Sequence, residues 1–206
     1  MNGRFITFEG IDGSGKSTQL RLLAEELRTL GFELITTCEP GGTPLGRQLR
    51  AALFETEEDV SPLAELLLFA ADRAQHIERL VRPALAEGKV VISDRYADAT
   101  AAYQGAGRGF SREIIREVIE LATGGLKPDL TIFLDIPINE ASARMTSRSE
   151  RGNRMDAETE EFYSRVRDAY LGFARAEPDR FRVIDAARPV EDIRVEVLSE
   201  VTRNLS

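Results

Sequence analysis

The residues best equipped for chemistry lie near the amino terminus, in the run Gly10-Ile11-Asp12-Gly13-Ser14-Gly15-Lys16-Ser17-Thr18. It fits G-x-x-x-x-G-K-[ST], a spacing suited to gripping phosphates. The glycines let consecutive backbone N–H groups turn inward without Cβ clashes, and a helix starting there adds partial positive charge. Lys16 can reach the outer phosphates of a triphosphate, and the Ser17 hydroxyl can ligate Mg²⁺. A chance glycine-rich turn is the bland alternative. It is disfavoured by the apolar strand Arg4–Glu9 before the run and the helical pattern Ser17–Leu30 after it. The motif speaks for binding a nucleoside triphosphate, and says less about how the triphosphate is used.

Other candidates are weaker one by one. Val90-Val91-Ile92-Ser93-Asp94 is an apolar strand ending in a carboxylate that could hold Mg²⁺, and Asp135, ending Leu130–Asp135, competes for that role. Arg95 directly follows Asp94, within reach of a gap between two bound anions, where a bidentate clamp would offset their repulsion. Glu39-Pro40-Gly41-Gly42-Thr43 closes another strand and opens a helix on which Arg47 and Arg50 share one face, with Leu45, Leu49 and Leu53 as the core-facing stripe. Phe69 and Arg73 are four apart, so a ring and a planar donor could meet a base together; on spacing alone, the block Leu66–Ala70 favours a core place for Phe69 over that one. His76, the sole histidine, reads as structural. Arg144, Arg148, Arg151 and Arg154, mixed with Ser147, Ser149, Gly152 and Asn153, suggest a mobile loop that could bring charge to a transferring group and exclude water.

Short apolar strands alternate with helical stretches. The pattern predicts strands at Arg4–Glu9, Glu33–Cys38, Lys89–Asp94, Leu130–Asp135 and Phe181–Ile184. Helices are expected from Thr43-Pro44 to about Phe54, from Ser61-Pro62 to about Ala86, and over Ser111–Thr123, Asn139–Thr146, Glu158–Ala176 and Val190–Asn204. Continuous apolar strands separated by helices imply an α/β fold with a parallel sheet covered on both faces. Ligands then gather beyond the carboxyl ends of the strands, near Glu9, Glu39, Asp94 and Asp135.

The 206 residues suit one domain, with no repeat or linker in view. A formal charge of −8 argues against long nucleic acid as a partner, although local fields decide the fate of a small anion. Cys38 is the single cysteine, which rules out a disulfide within the chain and favours a reducing cytoplasm. No apolar run is long enough to span a membrane.

Taken in order, Phe8-Glu9-Gly10-Ile11-Asp12-Gly13, Glu39-Pro40-Gly41-Gly42-Thr43, Phe69-Ala70-Ala71-Asp72-Arg73, Asp94-Arg95-Tyr96, Ala102-Tyr103-Gln104-Gly105 and Pro128-Asp129-Leu130 resemble bacterial thymidylate kinases over essentially the whole chain. The resemblance implies a P-loop NTPase-type sheet of about five strands with a mobile lid near residues 146–157. It also implies ATP and Mg²⁺ as cofactors, dTMP as substrate and a homodimer. By the same resemblance, Asp12 meets the sugar 3′-hydroxyl, and Arg50 and Arg95 hold the acceptor phosphate. Phe69 stacks on the base and Arg73 bonds its carbonyl edge. Thr100 and Gln104 lie around the base, Tyr103 lies under the sugar, and Glu39 and Pro40 border the site. Arg144 packs near adenine. Some relatives carry a catalytic arginine at position 13; Gly13 here shifts that charge to Arg148, Arg151 or Arg154. The family's D-R-Y-x-x-S is broken by Ala99, so a local hydrogen bond is lost or passes to Thr100. Kinases for dUMP, UMP or CMP, and a nucleotide-binding switch protein, remain the alternatives.

Overall fold

Five strands form one parallel sheet, in the order Leu34–Cys38 (β2), Val90–Asp94 (β3), Arg4–Glu9 (β1), Leu130–Asp135 (β4) and Phe181–Asp185 (β5). In the computed structural model, which describes residues 3–147 and 158–205, β1 (Arg4–Glu9) lies between β3 (Val90–Asp94) and β4 (Leu130–Asp135). β2 (Leu34–Cys38) and β5 (Phe181–Asp185) are the edges. The period-2 alternation of β1 explains both packed faces. Ile6 and Phe8 join Ile92 and Ile132 under α1 (Lys16–Thr29), α8 (Glu160–Ala176) and α9 (Val190–Leu205), while Phe5 joins Val91, Ile77, Val81 and Tyr96 on the other side. Each such side chain, fully buried, contributes about 1.5–3 kcal/mol. This is the α/β sheet expected, and strand bounds match to within a residue.

Helix starts follow their caps. Thr43 Oγ1 accepts from the Gly46 N–H at 2.9 Å ahead of α2 (Pro44–Phe54), and Ser61 Oγ accepts from Ala64 ahead of α3 (Pro62–His76). The long helix predicted to Ala86 is not uniform. A π turn, Ile77–Val81, separates α3 from α4 (Arg82–Ala86). Pro83 accounts for it: the ring lacks an N–H and would strike the carbonyl of residue 79 in an α-helix, and the wider turn makes room. A second difference is α5 (Ala97–Thr100) with the π turn Ala101–Gly107, which the sequence pattern did not reveal. α6 (Arg112–Thr123) and α7 (Ile138–Ser147) complete the set.

The π turn carrying Tyr103 and Gln104 lies against α8. Arg165 on α8 donates to the carbonyls of Ala106 and Gly107 at 3.2 and 3.0 Å, and a Cβ at Gly107 would meet the Phe162 ring at 2.6 Å. The segment just after β3 is fixed from the sheet side by Glu9. One carboxylate oxygen accepts the Tyr96 N–H at 2.8 Å and the other accepts the Tyr170 hydroxyl at 2.6 Å, with no solvent exposure. Burial, and then the charge of Asp98, push Glu9 up to about 8.

Two outcomes are expected. Gly107→Ala overpacks the Phe162 contact and destabilises by about 1–3 kcal/mol in urea unfolding, although alanine is the better helix former. For Glu9 the folded state holds its proton above the ordinary value of 4.5, so its stabilisation is complete below that pH and is lost as pH rises to about 8. Glu9→Gln keeps a neutral partner for both bonds. Its unfolding midpoint should therefore gain on the wild type progressively across that window and run parallel to it above; parallel curves throughout would show that Glu9 is ionised at neutral pH.

Candidate active site

The phosphate-gripping loop forms as its glycines require. Gly10, Gly13 and Gly15 have φ of 143°, 83° and 92°, values that side chains disfavour. Ile11 and Ser14 are buried, and Thr18 sits in the first turn of α1 behind Ser17. The Lys16 ammonium bridges the carbonyls of Gly10 and Ile11 at 3.1 Å each and lies 4.0 Å from Asp12. Burial, and then the nearby Arg95 charge, lower the Lys16 pKa. Ser17 Oγ donates to Asp94 Oδ2 at 2.8 Å, so the two expected metal ligands share one spot. A hydroxyl and one carboxylate are hard oxygen donors of the kind Mg²⁺ uses alongside phosphates. Asp135, the competing candidate, is instead taken up by a bidentate pair with Arg167 at 2.6 and 2.9 Å. That pairing gives Asp135 a structural partner and favours Asp94 for the metal role.

Arg95 occupies the junction of β1, β3 and the π turn. Its φ of 71° is the left-handed region, unusual for a side chain of this size. The turn is held by Arg95 N–H to Phe8 O at 2.9 Å and by Ser93 Oγ to Arg95 O at 2.8 Å. The guanidinium donates to Asp12 Oδ1 at 2.8 Å and to the Tyr103 hydroxyl at 3.1 Å, and lies 4.8 Å from the centre of the Tyr103 ring. Its Nη1 is buried with no protein partner. Burial opposes ionisation of Asp12, but Arg95 and Lys16 outweigh it and hold the carboxyl below its usual range.

Two adjoining clefts share Asp12, Glu39, Arg50 and Arg95. One also takes in Gly13, Gly15, Lys16, Ser17, Cys38 and Asp94. The other brings Phe69, Arg73, Thr100, Tyr103, Gln104 and Pro40 together, as the sequence suggested, and adds Phe54 and Ala99. Arg50 donates to Pro40 O at 3.0 Å and sits 5.2 Å from the Phe54 ring centre. Phe54 could have been found as the residue one turn after Arg50.

Arg73 is only 2% exposed. It donates to Glu39 Oε2, Thr100 Oγ1 and Tyr96 O at 2.8, 2.8 and 2.9 Å. Thr100 thus has a hydrogen bond in the segment where Ala99 replaces serine. His76 Nδ1 faces Glu39 Oε1 at 2.8 Å and Nε2 faces Thr37 Oγ1 at 2.7 Å, which is the structural role expected. Asp72 accepts from the Gly41 N–H at 3.1 Å, and burial, followed by the Glu39 charge, pushes it up to about 6.

Two readings made from spacing alone need correction. Phe69 is not core: the helical period buries Leu66 and turns Phe69, half-buried, toward the cleft and the Phe54 ring 6.3 Å away. Of the α2 stripe only Leu53 is fully buried; Leu45 is 44% exposed, because α2 packs through its last turn and Gly46. Arg144 is half-buried on α7 and lines neither cleft. Arg148, Arg151 and Arg154, with most of the expected lid, lie outside the described residues.

Known proteins resemble this chain in sequence and fold. Residues 8–197 match the family described as Thymidylate kinase. A thymidylate kinase of Leifsonia xyli is 52% identical over 195 residues, covering 95% of this chain and 92% of the relative. One of Pelobacter propionicus is 44% identical, covering 98% and 95%. The crystal structure of thymidylate kinase from Ehrlichia chaffeensis superposes with a TM-score of 0.79 at 35% identity, covering 98% of this chain and 99% of that one. A phosphate loop and a second, aromatic-lined cleft sharing Arg95 and Asp12 with it are thus set in a fold and sequence that place this chain in the thymidylate kinase family.

Proposed function

We propose that the protein transfers the γ-phosphoryl group of ATP to dTMP, giving ADP and dTDP. The observation that supports this most is the pair of clefts meeting at Asp12, Arg50 and Arg95. A nucleotide-binding switch has no need of the second cleft. ATP lies with its phosphates on Gly10–Thr18 and its adenine toward Arg144. Lys16 draws on the β- and γ-phosphates. Asp94 and Ser17 would hold Mg²⁺, which would supply positive charge to offset that of the phosphates.

On the other side Arg50 and Arg95 hold the acceptor phosphate. Phe69 stacks on the base, while Arg73, Thr100 and Gln104 read its edge. Tyr103 supports the sugar, Asp12 meets its 3′-hydroxyl, and Glu39 and Pro40 wall the site. An acceptor phosphate oxygen attacks the γ-phosphorus in line as the bond to the β,γ-bridging oxygen breaks. Positioning and charge neutralisation carry this reaction, so no protein nucleophile takes part. Arg148, Arg151 or Arg154 adds charge to the transferring group.

We take the whole chain to act as one domain and as a homodimer in the cytoplasm, in keeping with exposed Leu45, Leu63 and Leu67 on α2 and α3. Among the described residues no helix is long and apolar enough to cross a membrane.

The direct test is ADP release from ATP·Mg²⁺ with dTMP, dUMP, UMP, CMP and dCMP. Strong dependence on dTMP is expected. The margin over dUMP is the narrowest of the set, since one methyl group is worth about 1–3 kcal/mol. Release indifferent to the acceptor would overturn the kinase reading in favour of the switch. Arg95→Ala should lower kcat/KM for dTMP by about 10²–10³-fold while ATP affinity stays within a few-fold, as for loss of one preorganised donor. Turnover surviving within a few-fold would remove Arg95 from the clamp.

A further inference from the structure

Gln104 has a carboxylate behind it. Glu65, in the first turn of α3, has no solvent exposure. A charge so buried requires compensation. Arg108 provides it through Nε to Oε1 and Nη2 to Oε2, both at 3.1 Å. The same Oε1 also accepts from Gln104 Nε2 at 2.8 Å. An ionised carboxylate only accepts hydrogen bonds, so the amide nitrogen of Gln104 has to face Glu65. Turning the amide over would set its carbonyl oxygen against the carboxylate. Gln104 Oε1 is therefore directed away from Glu65, along the wall that Gln104 forms with Phe69, Arg73 and Thr100.

The neighbours on that wall give this orientation a chemical meaning. Arg73 can only donate. Thr100 Oγ1 already receives a hydrogen bond from Arg73, which leaves its own proton to donate. The wall thus offers donors at Arg73 and Thr100 and one fixed acceptor at Gln104. Thymine and uracil present the complement, an N–H at ring position 3 flanked by two carbonyls. Cytosine presents a bare ring nitrogen and an amine. Its lone pair against the Gln104 carbonyl would leave both buried acceptors unpaired, which costs more than a missing contact.

We infer that Glu65, paired with Arg108, locks the Gln104 amide as an acceptor and so makes the cleft select pyrimidines bearing N3–H over cytosine. The inference rests on the dTMP reading above. Glu65 itself touches no substrate; it is a positioning residue.

The test compares kcat/KM for dTMP, dUMP and dCMP in the wild type, Glu65→Gln, Gln104→Met and the double variant. A glutamine at 65 can donate as well as accept, which frees Gln104 to turn. The dTMP-to-dCMP ratio should fall by about tenfold or more, with the change in the KM values. The dTMP-to-dUMP ratio, which N3–H does not distinguish, should stay within about threefold. Gln104→Met removes the acceptor and should lower the dTMP-to-dCMP ratio similarly, and the double variant should fall no further than the lower single one.

Equal loss for dTMP and dCMP in Glu65→Gln, or effects that multiply in the double variant, would overturn the inference. Where Glu65→Gln does not fold, Gln104→Met decides alone, and a wild-type dTMP-to-dCMP ratio in it overturns the lock. Failure of the thymidylate reading would show separately, as a wild type that does not turn over dTMP.

Discussion

The ion pair between Arg95 and Asp12, 2.8 Å long, is the contact on which the rest of the site depends. A guanidinium this enclosed is costly unless it is paired, and a single carboxylate cannot satisfy five N–H groups. Tyr103 takes a second hydrogen bond and offers its ring face. Nη1 remains, buried and without a protein acceptor. A cation held rigidly with one direction unsatisfied is prepared for an anion, because the cost of ordering and desolvating it has been met during folding. The backbone conformation that aims it, at φ 71°, would not persist unaided. Hydrogen bonds from Ser93, and from the Tyr96 N–H to buried Glu9, hold the turn on both sides.

The same contact resolves a conflict of charges. Lys16 and Arg95 are both needed near phosphate, and each raises the cost of the other; the Lys16 pKa is lowered first by burial and then by Arg95. Asp12, between them, offsets the repulsion. Its ionised state comes from these cations, against the opposing effect of burial. This is why a chain of net charge −8 can carry an anion site. The acidic surplus lies elsewhere: along the two clefts Lys16, Arg50, Arg73 and Arg95 face Asp12, Glu39 and Asp94, so the local balance is positive.

Much of this was legible in the sequence because the relevant signals are local. Strand ends at Glu9, Cys38, Asp94 and Asp135 follow from apolar runs that stop abruptly, and the caps Thr43 and Ser61 announce their helices. What escaped depends on contacts between distant segments. The π turn Ala101–Gly107 has two glycines and no apolar period, so only its packing on Phe162 and Arg165 makes it helical. Phe69 reads as core in an apolar block until the neighbouring Phe54, from another helix, makes it a cleft wall. Asp94 and Asp135 look alike as strand ends, and they diverge only because Arg167, on α8, reaches one of them. Glu65 drew no attention, since an acidic residue in a first helical turn is ordinary.

Gly13 constrains where further positive charge can come from. Its φ is 83°, and a Cβ there would lie 2.5 Å from the carbonyl oxygen of Ala141 on α7. That distance is to backbone, not to a side chain that could swing away, so any substituent at position 13 must displace α7 itself. An arginine inside the phosphate loop is therefore incompatible with how this helix packs, whatever charge the reaction would gain from it. The absence of that arginine is thus a consequence of packing as well as of composition. In the proposed reaction, charge beyond Lys16 and Arg95 has to arrive from a different segment. The helix that closes off position 13 is also the one after which Arg148, Arg151 and Arg154 follow in the sequence.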